Sequence, residues 1–470
     1  MGPSESARFI RDHIPADGLF FGHEWRISPT PFPISAEVAK EFDTLGRVLL
    51  QFYRTVNLLY RQSAAGKQPG WVADYLDRGK PAHLIELQRS PALKNDVPRV
   101  IRPDVLLTDA GLTITELDSV PGGIGLTAWL NQTYAQLTPP SKVQIPNPDS
   151  LPTPSALAPS AIHHPPSSAP VLGGPDGMLA GFASIFGEAP GVHVVVSEEA
   201  ATYRPEMAWL CQQLDSNRFK VQSAIFDAPA NGDAVYRFFE LFDVANVPGA
   251  HKLFALAEGK RIRLTSPPKP IFEEKMLFAL LWNRHLREFW QQQLGESFFT
   301  RMLRLVPYSW ILDPAPLPPH AAIPELNLSD WQQLKGLSQR ERDLILKISG
   351  YSPRAWGSRG VFLGSDMSHA EWSAALEQAL NSFSHSPYVL QRYHRTRLVE
   401  ASYYDFEKEQ LIAMPGRVRL CPYYFVIGEG DAARAQLGGV LATICPADKK
   451  LIHGMKEAIL APCSVASAGA

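Results

Sequence analysis

The pattern of residues 102–125 predicts a β-hairpin whose strands carry three acidic side chains, Asp104, Glu116 and Asp118. Two apolar runs flank the sequence DAG, which is typical of a hairpin loop. A three-residue loop centred on Ala110 would place Asp104 opposite Glu116. Asp118 would lie on the same face as Glu116, because side chains alternate along a strand. Facing like charges destabilise a sheet, so we expect a hard cation such as Mg²⁺, which prefers oxygen ligands, among these carboxylates.

The hairpin register depends on the length of its loop. The three-residue loop also predicts that Thr108 faces Leu112 and that Leu106 faces Ile114. A two-residue loop at positions 110–111 would divide the acids between the two faces of the sheet. In that case the hairpin would be an ordinary surface feature with solvated acids.

A glycine-rich segment follows the hairpin. Residues 121–125 read PGGIG, and a helix over residues 126–137 can begin directly after them. Glycines allow the backbone to come close to a ligand, and the N-terminus of a helix favours an anion. We therefore expect a ligand beside this turn.

Composition and charge limit the class of protein. At 470 residues the chain is expected to form two or three domains, and 45% hydrophobic residues suit a substantial core. The formal charge of −2 gives no reason to expect nucleic acid or an acidic membrane as partner. Neither a signal peptide nor a membrane-spanning run is visible, so we expect a cytoplasmic protein. The four cysteines lack metal-binding spacing and are expected to be reduced thiols.

The pattern along the chain predicts five regions. Residues 1–100 look mostly helical and include one long amphipathic helix over residues 37–63. Residues 101–137 contain the acidic hairpin, and residues 138–176 form a Pro/Ser-rich linker. Strands and helices alternate over residues 177–270, which predicts a parallel, Rossmann-like sheet. Residues 271–470 form the last region.

Two basic side chains lie within predicted elements on either side of residue 270. Arg237 is inside the strand VYRFF, where a substrate contact and a structural ion pair are equally compatible with the pattern. Lys275 lies near the start of a helix predicted over residues 272–290. A lysine on a helix is usually solvated, so its position alone does not assign a role.

A third basic side chain, Lys347, lies in the apolar strand LILKIS. A lysine in such a strand needs an anion. The loop at residues 350–361 can fold over phosphates with its N–H groups and with Arg354 or Arg359. A plain hairpin turn would explain this loop equally well.

Two arginines alternate on a strand close to the C-terminal end. Arg417 and Arg419 point to the same face of this strand, which precedes the aromatic residues 423–427. Two charges that guard an exposed strand edge would give the same pattern.

The sequence Glu116-Leu117-Asp118, with its following Pro-Gly turn, resembles the metal-binding end of the ATP-grasp superfamily. In that superfamily an acid on one strand and a Glu-x-Asn on the next hold Mg²⁺ against ATP phosphates. Asp118 replaces the asparagine here, so the resemblance supports one metal ion better than two. The motif usually closes the catalytic domain but here comes near residue 100. This order, with Arg102 two positions before Asp104, resembles the circularly permuted branch that includes glutathionylspermidine synthase-like proteins.

The resemblance implies an α/β fold, in which a circularly permuted ATP-grasp domain joins a Rossmann-like pre-ATP-grasp domain and a mostly helical N-terminal region. It implies that the Mg²⁺ ligands are Asp104, Glu116 and Asp118. It implies that the groups in contact with ATP are Lys275, Lys347, Arg359, Gly360 and Gln391. The transferred phosphate would be neutralised by Arg102 together with Arg417 or Arg419. The residue in contact with the substrate would be Arg237.

The resemblance also implies a reaction, the ATP- and Mg²⁺-dependent ligation of a carboxylate to an amine through an acyl phosphate. The substrates would be small-molecule or peptide acids and amines. One alternative is an ATP-binding module without ligase activity, and another is phosphoryl transfer to a hydroxyl or carboxylate as the final step. No Cys-His signature precedes the motifs, so no amidase domain is expected.

Overall fold

Three β-sheets of the described chain meet near the acidic hairpin. The computed structural model describes residues 1–15, 19, 25–137, 171–318, 321–355, 359–453 and 456–466. Most of the predicted linker at residues 138–176 lies outside this range. Part of the predicted phosphate loop, residues 356–358, also lies outside it.

Strands and helices alternate along most of the described chain. The strands are β1 (Phe32–Ile34), β2 (Val100–Thr108), β3 (Gly111–Asp118), β4 (Val192–Val196), β5 (Phe219–Gln222), β6 (Ala234–Phe238), β7 (Arg263–Thr265), β8 (Ser309–Ile311), β9 (Leu344–Ile348), β10 (Val361–Leu363), β11 (Tyr388–Arg392), β12 (Leu398–Asp405), β13 (Gln410–Ile427), β14 (Arg434–Pro446) and β15 (Ile459–Val465). The α-helices are α1 (Pro3–Asp12), α2 (Ala36–Ala64), α3 (Gly70–Asp77), α4 (Ala82–Arg89), α5 (Ile124–Leu137), α6 (Gly177–Ser184), α7 (Arg204–Gln213), α8 (Ala250–Glu258), α9 (Leu277–Trp282), α10 (Arg287–Leu294), α11 (Glu296–Leu305) and α12 (His369–Asn381).

The large sheet joins the N-terminal and C-terminal parts of the chain. Its order is β1-β15-β14-β13-β2-β3, and β12 pairs with the first half of β13. The acidic hairpin β2–β3 therefore lies at one edge of this sheet, with β13 as its inner neighbour. The hairpin is thus hydrogen-bonded to β13, a strand that lies more than 300 residues away in sequence.

The long N-terminal helix covers one face of the large sheet. Ser35 caps α2 by accepting a hydrogen bond from the backbone N–H of Val38, at 3.3 Å. The buried face of α2 packs against β14 and forms a core with α9, α10 and α11. The predicted amphipathic helix is therefore present.

The parallel sheet has the order β5-β4-β6-β7, and all of its pairings are parallel. This pairing agrees with the alternation of strands and helices in the sequence. The carboxyl ends of β4 and β6 meet at one edge, which is where ligands of such sheets commonly bind.

The small antiparallel sheet has the order β10-β9-β11-β8, and α12 packs in its core. Its strand β9 carries Lys347. The helix predicted over residues 272–290 is wrong, because a 3₁₀ turn at Pro270–Glu273, α9 and α10 replace it. Lys275 lies between the first two of these elements.

The four cysteines, Cys211, Cys421, Cys445 and Cys463, are buried free thiols, as the sequence predicted. In the described part of the chain, no helix combines the length and apolar character that crossing a bilayer requires.

Candidate active site

A cavity of about 460 Å³ lies between the acidic hairpin, the carboxyl edge of the parallel sheet and the small antiparallel sheet. This volume is within the range of small-molecule sites. The charged residues that line it include three cations, which are Arg102, Lys275 and Arg419. The acids that line it include Asp104, Glu116, Asp118, Glu199, Glu240, Asp243 and Glu273.

The hairpin reaches the expected acid pairing by an unexpected route. Thr108 pairs with Gly111, so the turn has two residues and the predicted three-residue loop is wrong. The predicted pairs Thr108–Leu112 and Leu106–Ile114 are wrong for the same reason. A bulge at Thr115 then adds one residue to β3. Asp104 consequently lies opposite Glu116, and Arg102 opposite Asp118.

Arg102 bridges two of the three carboxylates. Its Nη2 lies 3.0 Å from Oδ2 of Asp118, and its Nε lies 3.3 Å from Oδ1 of Asp104. Its Nη1 donates to the carbonyl of Gly122 at 3.2 Å. The two carboxylates raise the pKa of Arg102 well above its usual value, although burial opposes them. The guanidinium thus bridges Asp104 and Asp118, two of the three carboxylates that the sequence predicted as metal ligands.

The other carboxylates have cationic partners too. Arg419 Nη1 donates to Oδ2 of Asp104 at 2.8 Å, and Cys421 donates to its Oδ1 at 3.4 Å. Burial raises the pKa of Asp104, but Arg419 and Arg102 outweigh burial and lower it overall. Lys275 Nζ lies 2.8 Å from Oε1 of Glu116. The repulsion expected among the three acids is therefore relieved by protein cations.

The second oxygen of Asp118 is also engaged. Its Oδ1 accepts a hydrogen bond from the backbone N–H of Val120 at 2.9 Å. Burial raises the pKa of Asp118, and its partner Arg102 opposes this change. Asp118 therefore anchors Arg102 and the turn that follows β3.

The structure does not present the three acids as a set of metal ligands. Among the described residues, no group of three or more acidic, histidine or cysteine side chains is placed to hold a metal ion. Asp104 and Asp118 use both carboxylate oxygens within the protein. Glu116 has the most exposed side chain of the three, at 35%. Mg²⁺ commonly uses one carboxylate with substrate phosphates, so Glu116 alone fits such an ion.

Lys347 reaches the same hairpin from the small antiparallel sheet. Its Nζ donates to the carbonyl of Thr115 and to Oε1 of Gln391, both at 3.0 Å. A bulge leaves its extra residue outside the ladder, which makes the Thr115 carbonyl available to this ammonium group. The pKa of Lys347 is lowered to about 8, because burial and nearby Lys275 lower it more than Glu116 and Asp104 raise it.

The start of α5 receives a carboxylate from within the protein. Glu206 on α7 is fully buried, and its Oε1 accepts a hydrogen bond from the backbone N–H of Gly125 at 2.8 Å. A Cβ atom at Gly125 would lie 2.7 Å from Cγ of Glu206, so only glycine allows this approach. Burial raises the pKa of Glu206 to about 8. The carboxyl group of Glu206 thus occupies this helix start, where the sequence predicted a ligand.

Arg237 is committed to structural contacts. It is 1% exposed, and its Nη2 lies 2.7 Å from Oε1 of Glu273. It also donates to the carbonyl oxygens of Ser266 and Phe239. Of the two alternatives for Arg237, the ion pair is the one present, and the expected substrate contact is not supported.

The structure separates the two candidate arginines of β13. Arg419 lines the cavity, whereas Arg417 donates to the carbonyl oxygens of Ala447 and Thr396 and is not among the lining residues. The role in phosphate binding expected for Arg417 is therefore not supported. Alternate residues of a twisted strand differ in depth, which the sequence pattern does not reveal.

The remaining predicted ligands, Arg359, Gly360 and Gln391, are not among the residues that line the cavity. Arg359 is half exposed and pairs with Glu199 at 2.9 Å. Gln391 is buried, where it accepts from Lys347 and donates to Ser309 Oγ at 3.1 Å. A Cβ at Gly360 would lie 2.6 Å from the carbonyl oxygen of Arg354, so this glycine serves close packing within its own loop.

Sequence reasoning missed the carboxyl pair formed by Glu240 and Glu273, next to the carboxyl edge of the parallel sheet. Glu240 follows β6 and lines the cavity beside Glu273. Burial, Glu273 and Asp118 raise the pKa of Glu240 well above its usual value. The signal was available, because Glu240 follows the carboxyl end of a predicted parallel strand.

Comparisons with known proteins bear on the fold. No protein-family model matches the sequence, and no curated protein matches it. The glutathione synthetase like-effector GSS30 of Globodera pallida, solved in its apoform, matches with a TM-score of 0.54 and 11% identity over 99% of this chain and 98% of that chain. A protein assigned as a gamma-glutamylcysteine synthetase of Methylobacillus flagellatus KT matches at a TM-score of 0.38, too low to carry an argument, and 13% identity over 90% of this chain and 87% of that one.

The chain therefore shares the mixed α/β fold of the Globodera pallida protein over nearly its full length. This likeness agrees with the α/β class expected from the sequence. At 11% identity it describes the fold and leaves the chemistry to the residues of the cavity.

Proposed function

We propose that this protein is an ATP-dependent ligase that joins a carboxylate to an amine, built on a circularly permuted ATP-grasp domain. The observation that carries the proposal is the convergence of two lysines on adjacent residues of β3. Lys275 Nζ lies 2.8 Å from Glu116, and Lys347 Nζ lies 3.0 Å from the carbonyl of Thr115. The lysines come from different parts of the fold, so their meeting beside one cavity supports a polyanionic ligand such as a nucleotide.

The protein's contribution to catalysis would be positioning and charge neutralisation. Arg102, Arg419 and Lys275 line the cavity and already have fixed partners, so little reorganisation is needed when phosphates bind. Lys347 would act from behind Thr115 as a buried positive charge. A Mg²⁺ ion bound with the nucleotide would neutralise phosphate charge, and Glu116 is the residue that would hold it.

The reaction would proceed in two displacements. A substrate carboxylate oxygen would attack the terminal phosphorus of ATP, forming an acyl phosphate as the bond to the ADP oxygen breaks. The nitrogen of an amine would then attack the acyl carbon, and inorganic phosphate would leave with the amine losing a proton. The related fold of a glutathione synthetase-like protein supports small peptide acids and amines as the first substrates to test.

The test is ADP formation with a panel of carboxylates and amines. The wild-type protein should release ADP only when an acid and an amine are both present with Mg²⁺. Glu116→Ala should abolish this release, because it removes the carboxylate that would hold the metal ion. Glu258→Ala, an exposed glutamate at the end of α8, is the matched control and should retain activity. Undiminished turnover by Glu116→Ala would exclude this role for Glu116.

A second candidate is an ATP-binding module without ligase activity. It is favoured by Asp104 and Asp118, whose oxygens are all engaged by protein groups and so offer no further metal site. Nucleotide binding without ADP release on any pair of substrates would support this candidate. ADP release that consumes no amine would instead indicate phosphoryl transfer as the final step.

A further inference from the structure

A buried ion pair links the N-terminal region to the segment that carries Lys275. Lys80, between α3 and α4, places its Nζ 2.5 Å from Oε1 of Glu274. Each side chain is only 1% exposed. Removing two charges from water is costly and is offset only by close geometry and further hydrogen bonds. The surroundings of Glu274 supply such a bond.

Ser349 ties the same glutamate to the small antiparallel sheet. Its hydroxyl donates to Oε2 of Glu274. The same hydroxyl accepts from the backbone N–H of Met276 at 3.0 Å, and the Ser349 carbonyl accepts from the N–H of Lys275 at 2.8 Å. Ser349 directly follows β9, so the end of that strand is bonded to three consecutive residues.

The two segments approach too closely for a side chain between them. A Cβ atom at Gly350 would lie 2.7 Å from the carbonyl oxygen of Glu273 and 2.8 Å from Cδ of Glu274. Backbone atoms cannot yield at that distance, so the contact between these segments is tight. The relative placement of residues 273–276 and 349–350 is therefore fixed by packing as well as by hydrogen bonds.

The two lysines of the candidate active site extend from these joined segments. Lys275 is next to Glu274 in sequence, and Lys347 is two residues before Ser349. Their ammonium groups reach adjacent positions on β3, at Glu116 and at the carbonyl of Thr115. The cluster that joins the two segments consists of Lys80, Glu274 and Ser349. It fixes the distance between residues 273–276 and residues 349–350.

We propose that Glu274, held by Lys80 and Ser349, is a positioning residue that sets the spacing of Lys275 and Lys347 for a phosphate-bearing ligand. The ligand part of this inference rests on the function proposed above. The alternative is an ion pair that contributes only to the stability of the fold. The two roles predict different ligand affinity and different lysine acetylation when both charges are removed together.

The double variant Lys80→Met/Glu274→Gln tests the proposal. It leaves no unpaired buried charge, and glutamine keeps an oxygen acceptor for Ser349. The matched control is Lys335→Met/Glu377→Gln, which removes a partly exposed ion pair of 2.5 Å next to the small antiparallel sheet. Three quantities are measured for each protein: the thermal midpoint, the dissociation constant of a fluorescent ATP analogue with Mg²⁺, and the acetylation of each lysine in ligand-free protein by mass spectrometry.

The expected result is a folded double variant that binds the analogue about tenfold more weakly or worse, because small displacements of positioned groups are costly. Acetylation of Lys347 should also increase severalfold, and the control should match wild type in both measurements. Unchanged acetylation of Lys275 and Lys347 in the folded double variant overturns the proposal. Native analogue affinity together with altered acetylation overturns it as well.

The ligand-free measurement separates this inference from the proposed function. If the wild-type protein does not bind the analogue, the proposed function fails, and acetylation alone decides whether Glu274 positions the lysines. If the double variant does not fold, Ser349→Ala replaces it. That change keeps both charges and removes only the hydroxyl link, and the same two outcomes decide.

Discussion

The ammonium group of Lys347 shows how a single buried residue connects charge to ligand binding. It donates to two neutral oxygens, and burial lowers its pKa to about 8. The folded pKa lies below that of an unfolded lysine, so the unfolded state binds more protons between pH 8 and about 10. The contribution of Lys347 to the free energy of unfolding should therefore rise with pH across this window.

Binding of an ATP analogue should depend on pH through the same residue. An anionic ligand favours charged Lys347, so affinity should be constant near pH 7 and fall above pH 8 by up to about tenfold per pH unit. Lys347→Met should bind weakly and lose this dependence. The measurement is the dissociation constant between pH 6.5 and 9.5, with the exposed Lys252→Met as control. Equal pH dependence in wild type and Lys347→Met would contradict the prediction.

Residue roles were predictable only where the evidence is local. Lys347 was recognised because a lysine among apolar strand residues is unusual in any fold. Arg237 was not resolved, because its partner Glu273 is 36 residues away and only folding brings the two together. The acids of the hairpin were identified correctly as a cluster, but their partners Lys275 and Arg419 come from distant segments.

At the scale of elements, the sequence predicts what has a strong local pattern. The amphipathic helix expected over residues 37–63 is α2, Ala36–Ala64, because its apolar spacing is continuous. The single helix expected over residues 272–290 is wrong, because the backbone is extended at Glu274 and again at Asn283, on either side of α9. The predicted three-residue hairpin loop is also wrong, because a two-residue turn combined with a bulge gives the same pairing of Asp104 with Glu116.

At the start of α5, the contribution of Glu206 to the stability of the fold should depend on pH. Glu206 has a pKa of about 8, so the folded state binds more protons than the unfolded state between pH 4.5 and 8. Stability from this group is present at low pH and is lost as pH rises, by at most about 1.4 kcal/mol per pH unit.

Glu206→Gln should remove that part of the pH dependence. It keeps an acceptor for the Gly125 N–H and cannot ionise, so its stability relative to wild type should increase from pH 5 to pH 8. Denaturant unfolding at several pH values measures this difference. Exposed Glu258→Gln should follow wild type throughout. A constant difference between Glu206→Gln and wild type would exclude titration of Glu206 as the cause.

At the scale of the whole molecule, three sheets supply the walls of one cavity. The α/β class was readable from alternating strands and helices, but the partners within the large sheet were not. β1 pairs with β15, and β13 pairs with β2, across most of the chain. Such pairings depend on shape complementarity between distant segments, which no local pattern encodes.

Ligand binding should stabilise all three sheets together. A nucleotide analogue with Mg²⁺ at about 100 times its dissociation constant should raise the free energy of unfolding by about 2.7 kcal/mol. Adenosine at the same concentration should give a smaller increase in the thermal midpoint, because the cations of the cavity have no phosphate to bind. Equal midpoints with adenosine and the analogue would argue against a phosphate site here.

The bulge at Thr115 has a consequence for how this hairpin tolerates change. The extra residue, Thr115, lies between the turn and the acids. The face on which Glu116 and Asp118 lie therefore depends on this one backbone position as well as on the length of the loop. Paired insertions at the Asp109–Ala110 turn, one residue added to each strand, would extend the hairpin outward and leave the acidic face unaltered. The turn is thus a natural point for peptide grafting, whereas deletion of Thr115 would leave Glu116 opposite Asp104 but remove the carbonyl that accepts from Lys347.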